Sequence, residues 1–470
     1  MGRVINYSDG MQHCSFCGKS EREVERLVAG AGVAICEECI ALCSQIIADE
    51  RTEYLKDQSV DLPTPMSIHE ILNSNVIGQE QAKRTLAVAV YNHYKRVRLE
   101  ELMELEHSNG VRGDAIGAGL EQVKVSKSNI LLIGPTGVGK TYLAQTLAEA
   151  MDVPFIIADA TSLTEAGYVG DDVETLLARL LDAANGDVER ARHGIIYIDE
   201  IDKIARKSGE NTSLARDVSG EGVQQALLKL MEGTVANVPV EGTRKHRDAQ
   251  TVQMDTKDVL FICAGAFVGL DEIVERRLGR HESGFGSSLR LQPLDYETLS
   301  ENANADDLAE FGLLPEFIGR MPVVSVLQDL SIADLKAILT EPRDALTKQY
   351  AKLFAADGVE LQFTDDALDQ IAQLAKANST GARGLRSIME HALESTMYEL
   401  PSLDDVIAVV VDGAAIRGER EPQYILANAH QQKHATLGDR LANARRAMLH
   451  IAQSHPDDSD FRTGNIRQVM

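Results

Sequence analysis

Short apolar runs alternate with amphipathic segments through the middle of the chain. The runs cover 129–133, 154–157, 194–198 and 259–264. Between them, apolar residues recur at helical spacing. Strands that alternate with helices form a parallel sheet covered on both faces, so we predict a doubly wound α/β domain. From 331 onward the pattern is mostly helical with one strand-like run at 405–411, which predicts a smaller, mainly helical domain.

Composition and charge narrow the class of protein. Of the 470 residues, 44% are hydrophobic and 25% are charged, which indicates a folded chain with a substantial core. We find no apolar stretch of the roughly 20 residues that a membrane helix needs and no apolar run of a secretory signal, so we expect a cytoplasmic protein without a membrane partner. A net charge of −25 and the absence of Trp disfavour nucleic acid as a partner.

The run GPTGVGKT at 134–141 follows one apolar run directly and precedes a helical segment. It therefore meets the structural condition for a phosphate-binding P-loop, although a Gly-rich turn is the alternative. Glycines let successive N–H groups point at phosphate oxygens, Lys140 adds a positive charge, and the Thr141 hydroxyl is suited to Mg²⁺. The residues predicted to contact nucleotide here are Gly134, Pro135, Thr136, Gly137, Val138, Gly139, Lys140, Thr141 and Tyr142.

A second nucleotide element is predicted at 194–200, where the apolar run GIIYI ends in Asp199 and Glu200. Adjacent strand ends would place Asp199 near Mg²⁺ and Glu200 where its carboxylate can polarise an attacking water. The alternative is a solvated pair of acids at a helix N-cap. The sequence has no guanine-reading Asn-Lys-x-Asp motif, so we predict a hydrolase that uses ATP with Mg²⁺, with catalytic residues Glu200, Asp199 and Lys140.

Five of the six cysteines lie in the first tenth of the chain. Cys14 with Cys17 and Cys36 with Cys39 form two C-x2-C pairs at a spacing typical of zinc sites. Four thiolates leave no open position for catalysis, so we predict a structural Zn²⁺ that holds together a segment too small for its own core. Disulfides are the alternative, but nothing indicates an oxidising compartment. Cys43 is interpreted as a packed thiol.

The zinc pattern and the two nucleotide motifs resemble those of the ClpX family, hexameric AAA+ unfoldases that feed the ClpP peptidase. The resemblance extends from about 14 to about 422. The run GYVG at 167–170 is similar to the family's first pore loop, which implies that Tyr168 and Val169 grip the polypeptide. Without the resemblance, a turn with a half-buried Tyr would explain 167–170 equally well, and basic residues in a loop would usually indicate only a solvated loop. The resemblance also implies a second pore loop and a substrate-selecting loop with basic residues Arg216, Arg244, Lys245 and His246.

Three further segments gain a nucleotide-linked role only from the resemblance. The run PEFIGR at 315–320 matches the family's arginine-finger segment, which implies that Arg320 completes a neighbouring subunit's catalytic site. The run GARG at 381–384 matches the sensor-2 motif, which implies that Arg383 contacts nucleotide. The run VIGQ at 76–79 matches the element that lines the adenine pocket, with Val76 and Ile77 as its contacts; by itself it would be a helix-start turn.

The family loop that docks into the peptidase differs here. Its aliphatic-Gly-Phe tripeptide corresponds to Ser283, Gly284 and Phe285, followed by Gly286. Replacing an aliphatic residue by Ser removes an apolar anchor worth about 1.5 to 3 kcal/mol of burial per loop. Either Phe285 carries the contact into a compensating pocket or the chain acts without the peptidase.

These patterns predict an α/β protein, and the resemblance implies that it is an AAA+ protein. The predicted segments are a zinc-binding domain at 1–50, a linker at 51–65, a large ATPase domain at 66–328, a small helical domain at 329–423 and a C-terminal extension at 424–470. The linker prediction rests on the polar stretch 49–65 ending in Leu-Pro-Thr-Pro, which disfavours a helix. The resemblance implies a homohexamer that unfolds tagged or adaptor-delivered proteins for a ClpP-type peptidase. Alternatives are a peptidase-independent remodelling chaperone and a nucleic-acid-acting ATPase.

Overall fold

A computed structural model describes residues 13–30, 32–58, 62–109, 123–164, 171–205, 220–239, 251–278, 299 and 302–426. They divide into two compact units, one formed by Met1–Pro65 with Val88–Lys127 and the other by Met66–Ala87 with Ser128–Met470. No helix among the described residues combines the length and apolarity needed to cross a bilayer.

The first unit begins with a small antiparallel hairpin. Strands β1 (Leu27–Gly30) and β2 (Val33–Cys36) pair, and helix α1 (Glu37–Gln58) follows directly. The Glu37 carboxylate accepts hydrogen bonds from the backbone N–H groups of Glu25 and Arg26 at 2.8 and 3.0 Å, which fixes the start of α1 against the chain entering β1. The prediction that 49–65 disfavours a helix is wrong for 49–58, because the proline restriction acts only close to Pro63 and Pro65.

The second unit is built around a parallel sheet. Its first helices are α2 (Pro65–Asn75), the beginning of α3 (Glu80–Asn109), α4 (Lys140–Met151), α5 (Thr175–Ala183), α6 (Val188–Arg192), α7 (Glu221–Glu232), α8 (Leu270–Arg277), α9 (Ala305–Phe311) and α10 (Pro315–Ile318). The part of α3 from Val88 onward belongs to the first unit. Its first strands are β3 (Ile130–Ile133), β4 (Phe155–Asp159), β5 (Leu163–Thr164), β6 (Asp171–Asp172), β7 (Ile195–Asp199), β8 (Val235–Pro239), β9 (Thr251–Asp255), β10 (Leu260–Gly265) and β11 (Val323–Val326). Among the described residues, five of these strands form the sheet in the order β11-β3-β10-β7-β4.

The predicted doubly wound α/β fold is confirmed. All four strand pairings of this sheet are parallel, and β3, β7 and β10 are buried almost throughout. Continuous apolar runs suit strands covered on both faces. β11 was not predicted, because Ser325 interrupts the apolar pattern of its four residues VVSV. The parallel arrangement brings the carboxyl ends of β3, β7 and β10 to one edge.

The remaining elements pack around a second, smaller sheet. Its strands are β12 (Glu360–Phe363), β13 (Val406–Val411) and β14 (Gln423–Leu426), and its helices are α11 (Ile332–Thr340), α12 (Leu346–Ala356), α13 (Asp365–Ala377), α14 (Ala382–Glu399) and α15 (Gly413–Ile416). β12 pairs parallel and β14 pairs antiparallel with β13. The boundary predicted after 423 falls inside β14, which continues to Leu426 because its backbone pairs with that of β13.

Candidate nucleotide site and metal centre

The P-loop lies where β3 ends and α4 begins. Gly137 and Gly139 have φ values of +83° and +95°, a region that favours glycine, so the loop can curl between the strand and the helix. The Gly134 N–H donates to the carbonyl oxygen of Gly265 at 3.2 Å, which ties the start of the loop to the end of β10. The backbone is therefore shaped as a phosphate cradle at a helix N-terminus.

Lys140 is buried inside this loop. Its Nζ donates to the carbonyl oxygens of Gly134 and Pro135 at 2.7 and 2.9 Å. Burial lowers the pKa of Lys140 from its ordinary value, the carboxylates of Asp199 and Asp202 oppose that shift, and the guanidinium of Arg383 adds to it. The guanidinium of Arg383 is thus close enough to the Lys140 ammonium for the two positive charges to repel each other.

Thr141 and Asp199 meet beneath the loop. The Thr141 hydroxyl lies 3.2 Å from Asp199 Oδ2 and 3.2 Å from the hydroxyl of Tyr197. A hydroxyl and a carboxylate are hard oxygen donors of the kind that Mg²⁺ binds, so this pair fits the predicted metal position. Burial raises the pKa of the Tyr197 phenol, which therefore stays neutral beside the carboxylate.

Glu200 occupies a strained position directly after β7. Its φ is +55°, and its backbone N–H donates to Asp199 Oδ1 at 2.9 Å, while its side chain is exposed at the same edge. A single helical turn, Ile201–Ile204, follows. Left-handed backbone at a non-glycine residue costs about 1 to 2 kcal/mol and is concentrated at functional sites. The buried Asp202 holds this turn by accepting from the Ala266 N–H at 3.2 Å.

The segment around 380–383 contacts the P-loop through backbone atoms. The Ala382 N–H donates to the carbonyl oxygen of Gly137 at 2.9 Å. A Cβ at Gly137 would lie 2.4 Å from the carbonyl oxygen of Thr380, and one at Gly381 would lie 2.8 Å from that of Gly137. Both glycines are therefore needed for close approach, and α14, which begins at Ala382 and carries Arg383 in its first turn, starts beside the phosphate cradle.

The VIGQ segment lies between α2 and α3 and reaches the end of β11. Val76 is buried and Ile77 is half-buried. The Gln79 side chain donates to the carbonyl oxygen of Gln328 at 2.8 Å, and the Gln328 N–H donates to Gln79 Oε1 at 2.9 Å. This reciprocal pair joins the predicted adenine-side turn to the chain between β11 and α11.

Arg320 lies away from the P-loop of its own chain, on the surface after α10. Its guanidinium pairs with Glu232 at the end of α7, with Nε donating to Oε1 at 2.9 Å. Its carbonyl oxygen accepts from the buried Asn129 side chain at 2.9 Å, just before β3. An exposed guanidinium on a fixed backbone is suited to contact another molecule, and the role implied by the resemblance stays a prediction.

The four cysteines predicted as zinc ligands form one cluster. Their sulfur atoms all lie within 4.8 Å of one another, and those of Cys17 and Cys36 are 3.6 Å apart. Zn–S bonds of about 2.3 Å place tetrahedral sulfurs about 3.8 Å apart, so the donor set fits Zn²⁺. All four are free thiols rather than disulfides. Burial raises the pKa of Cys14, but backbone N–H groups of Cys17, Cys36 and Phe16 outweigh it and lower the pKa to about 6. Burial and the neighbouring cysteines raise the pKa of Cys39, so of these two residues Cys14 is the one that forms a thiolate readily.

Several predicted residues lie outside the described part of the chain. They are Tyr168, Val169, Arg216, Arg244, Lys245, His246, Gly284, Phe285 and Gly286. Sequence patterns also missed the contacts of Tyr197, Asp202 and Gln224. Asp202 could have been noticed as a third acid after Asp199 and Glu200, and Gln79 stood in the matched run VIGQ without an assigned contact, whereas Gln224 gave no signal.

Comparisons with protein-family models agree with this geometry. Residues 12–49 match the ClpX C4-type zinc finger, 125–324 match the AAA domain (Cdc48 subfamily), and 330–410 match the C-terminal D2-small domain of ClpB protein. The AAA domain indicates an ATPase, and the zinc-finger match covers all four clustered cysteines. The three matches follow one another along the chain, and together they identify it as a ClpX-type AAA+ protein.

Proposed function

We propose that the chain is an ATP-dependent protein unfoldase and translocase. It works as a cytoplasmic homohexamer and threads tagged or adaptor-delivered proteins through its central pore into a ClpP-type peptidase. The observation that carries the proposal is the ClpX C4-type zinc finger ahead of an AAA domain, since the AAA domain alone is shared by motors with other substrates.

The proposed roles at the nucleotide site follow from the groups present. When bound, ATP with Mg²⁺ supplies the phosphoanhydride bond whose hydrolysis drives the motor. The P-loop N–H groups and Lys140 compensate phosphate charge, and Thr141 and Asp199 would hold the Mg²⁺. The exposed carboxylate of Glu200 orients a water and accepts its proton. Arg383 joins the site from α14, so closure around nucleotide would move the C-terminal elements relative to the sheet.

The remaining roles rest on the resemblance. Arg320 would stabilise charge at the neighbouring subunit's site, and Val76 and Ile77 would line the adenine pocket. The proposed division into a large domain at 66–328 and a small domain at 329–423 places Val76, Ile77 and Arg320 in the large domain and Arg383 in the small one. Tyr168 and Val169 would grip substrate, with Arg216, Arg244, Lys245 and His246 as further substrate contacts. Gly284, Phe285 and Gly286 would form the peptidase-docking loop.

The test is ATP-dependent unfolding of a tagged fluorescent protein, with and without a ClpP-type peptidase. Glu200→Gln is expected to keep ATP binding and lose hydrolysis and unfolding, because an amide cannot accept the proton of water. Tyr168→Ala is expected to hydrolyse ATP without unfolding. Tyr398→Ala is the matched control, since Tyr398 is 86% exposed on α14, away from any predicted role.

The outcomes separate the alternatives. Degradation on adding peptidase supports docking despite Ser283. Unfolding without degradation favours the remodelling chaperone, which the Ser at this position keeps open. ATP hydrolysis that leaves every tagged substrate folded, but rises on adding nucleic acid, would refute the unfoldase.

A further inference from the structure

Gln224 is a fully buried polar side chain in the second turn of α7. Its relative exposure is 0%, and its amide makes hydrogen bonds at both ends. The Nε2 group donates to the carbonyl oxygen of Ile204 at 2.8 Å, and Oε1 accepts from the N–H of Leu314 at 2.8 Å. A buried amide is costly unless both its donor and its acceptor are satisfied, so this position of the side chain is strongly preferred.

The first partner belongs to the turn that carries Glu200. Ile204 closes the single helical turn that begins after Glu200, and within that turn the Lys203 N–H donates to the Glu200 carbonyl oxygen at 2.9 Å. Asp202 anchors the same turn to the backbone after β10. A displacement of Ile204 is therefore passed to Glu200 through a few well-fixed bonds.

The second partner belongs to the segment that carries Arg320. Leu314 is the N-cap of α10, and the Arg320 N–H donates to the carbonyl oxygen of Phe317 in that helix at 3.1 Å. Phe317 is fully buried, which fixes the helix in place. The same helix α7 ends at Glu232, whose carboxylate pairs with the Arg320 guanidinium. α7 thus contacts both the start and the end of this segment.

We propose that Gln224 is a positioning residue that couples the turn carrying Glu200 to the segment carrying Arg320. Through it, the nucleotide site of one subunit sets the position of the arginine offered to the neighbouring subunit. This inference rests on the proposed function, because it requires a ring in which Arg320 completes a neighbour's site.

The experiment mixes two disabled subunits. Glu200→Gln subunits cannot hydrolyse ATP but still offer Arg320, and Arg320→Ala subunits keep Glu200 but offer no arginine. Hydrolysis in the mixture above that of each variant alone then comes from Arg320→Ala sites beside Glu200→Gln neighbours. Gln224→Met is added to the Glu200→Gln subunits, because Met has nearly the same size without the hydrogen-bonding groups.

Gln225→Met in the same subunits is the matched control. Gln225 is the next residue on α7, but it is exposed, and among the described residues its amide donates to Glu221 of the same helix at 3.2 Å. Ring assembly and ATP binding by the Glu200→Gln/Gln224→Met subunits are measured alongside. A loss of hydrolysis with both intact must act across the interface, since the altered subunits hydrolyse nothing themselves.

We expect Gln224→Met to reduce the restored hydrolysis on the order of 10- to 100-fold, because an arginine finger is worth about 10³- to 10⁵-fold and a displacement of about 1 Å forfeits a large part of such an effect. If Gln224→Met rings do not assemble, Gln224→Asn keeps the amide but is one methylene too short for both partners, and the same loss is expected. Restored hydrolysis equal to that of the Gln225→Met control overturns the inference alone. A mixture that restores nothing even with Gln224 intact overturns the proposed ring mechanism and the inference with it.

Discussion

Gln79 offers a sharp test of how the predicted adenine-side turn is connected to the rest of the site. Its side chain is 9% exposed and makes two reciprocal hydrogen bonds with the backbone of Gln328. Gln79→Ala removes both bonds and leaves the Gln328 N–H and C=O without these partners. At about 0.5 to 1.5 kcal/mol per bond, we expect a loss of about 1 to 3 kcal/mol.

The backbone conformation of Gln79 allows the loss of hydrogen bonds to be separated from backbone strain. Its φ is +60°, so any residue other than glycine is strained there. Gln79→Gly removes the same hydrogen bonds but relieves a strain of about 1 kcal/mol, partly offset by the greater freedom of glycine in the unfolded chain. We therefore expect Gln79→Gly to be more stable than Gln79→Ala, with both below the wild type.

The assays are thermal unfolding and binding of a fluorescent ATP analogue. A change of 1 kcal/mol shifts Tm by about 2 to 4 °C in a domain of this size, so Gln79→Ala should lower Tm by about 2 to 12 °C. If the lost 1 to 3 kcal/mol stabilises the arrangement that binds nucleotide, the affinity for the ATP analogue falls by about 5- to 150-fold. Gln328→Ala is the control, because Gln328 contributes only backbone atoms and its side chain is exposed. Equal effects of Gln79→Ala and Gln328→Ala, or none from either, would refute the reasoning.

Two further predictions concern the metal centre and the glycines beside the P-loop. Chelating zinc should unfold 14–43, because structural zinc contributes about 10 to 16 kcal/mol of folding free energy, while ATP hydrolysis should stay largely intact. Circular dichroism measures the unfolding and an ATPase assay measures the hydrolysis. Loss of hydrolysis on chelation would contradict a separable zinc-binding module. Gly381→Ala should weaken ATP binding strongly, because its Cβ would lie 2.8 Å from the Gly137 carbonyl oxygen. Gly418→Ala, with φ of +72° and no atom within 4 Å of the added Cβ, carries the strain without the contact and should leave ATP binding unchanged.

The phosphate cradle and the metal centre could be predicted from sequence because their groups are close together along the chain. A P-loop needs consecutive N–H groups between a strand and a helix, so all of its residues lie in the eight adjacent positions 134–141. The four cysteines likewise fall in two short pairs. The parallel sheet was predictable because strands buried on both faces are continuous apolar runs. Predictions failed where a polar residue interrupted an apolar run, as in β11, or where the effect of proline was extended to residues too far from it, as in 49–58.

The contacts of the two glutamines could not be predicted, for a different physical reason. Gln79, although part of the matched run VIGQ, pairs with Gln328, 249 positions away, and Gln224 pairs with Leu314 and Ile204, 90 and 20 positions away. In each case the partner groups are backbone N–H or C=O. Every residue except proline offers both groups, so the partner positions need no particular side chain and leave no pattern. A glutamine among amphipathic helical residues is ordinarily a solvated one.

Because a side chain bonds to backbone in each pair, substitutions are tolerated at the backbone partner but not at the glutamine. A substitution at Gln328 or Ile204 that keeps the backbone in place preserves the hydrogen bond, whereas any shorter or apolar side chain at Gln79 or Gln224 breaks two bonds at once. Proline is the exception at Leu314 and at Gln328, since it would remove the N–H from which Gln224 or Gln79 accepts. The residues that perform the chemistry are thus encoded locally. The residues that position those groups, Gln79 and Gln224, are single side chains with backbone partners, so their contacts become visible only in the folded structure.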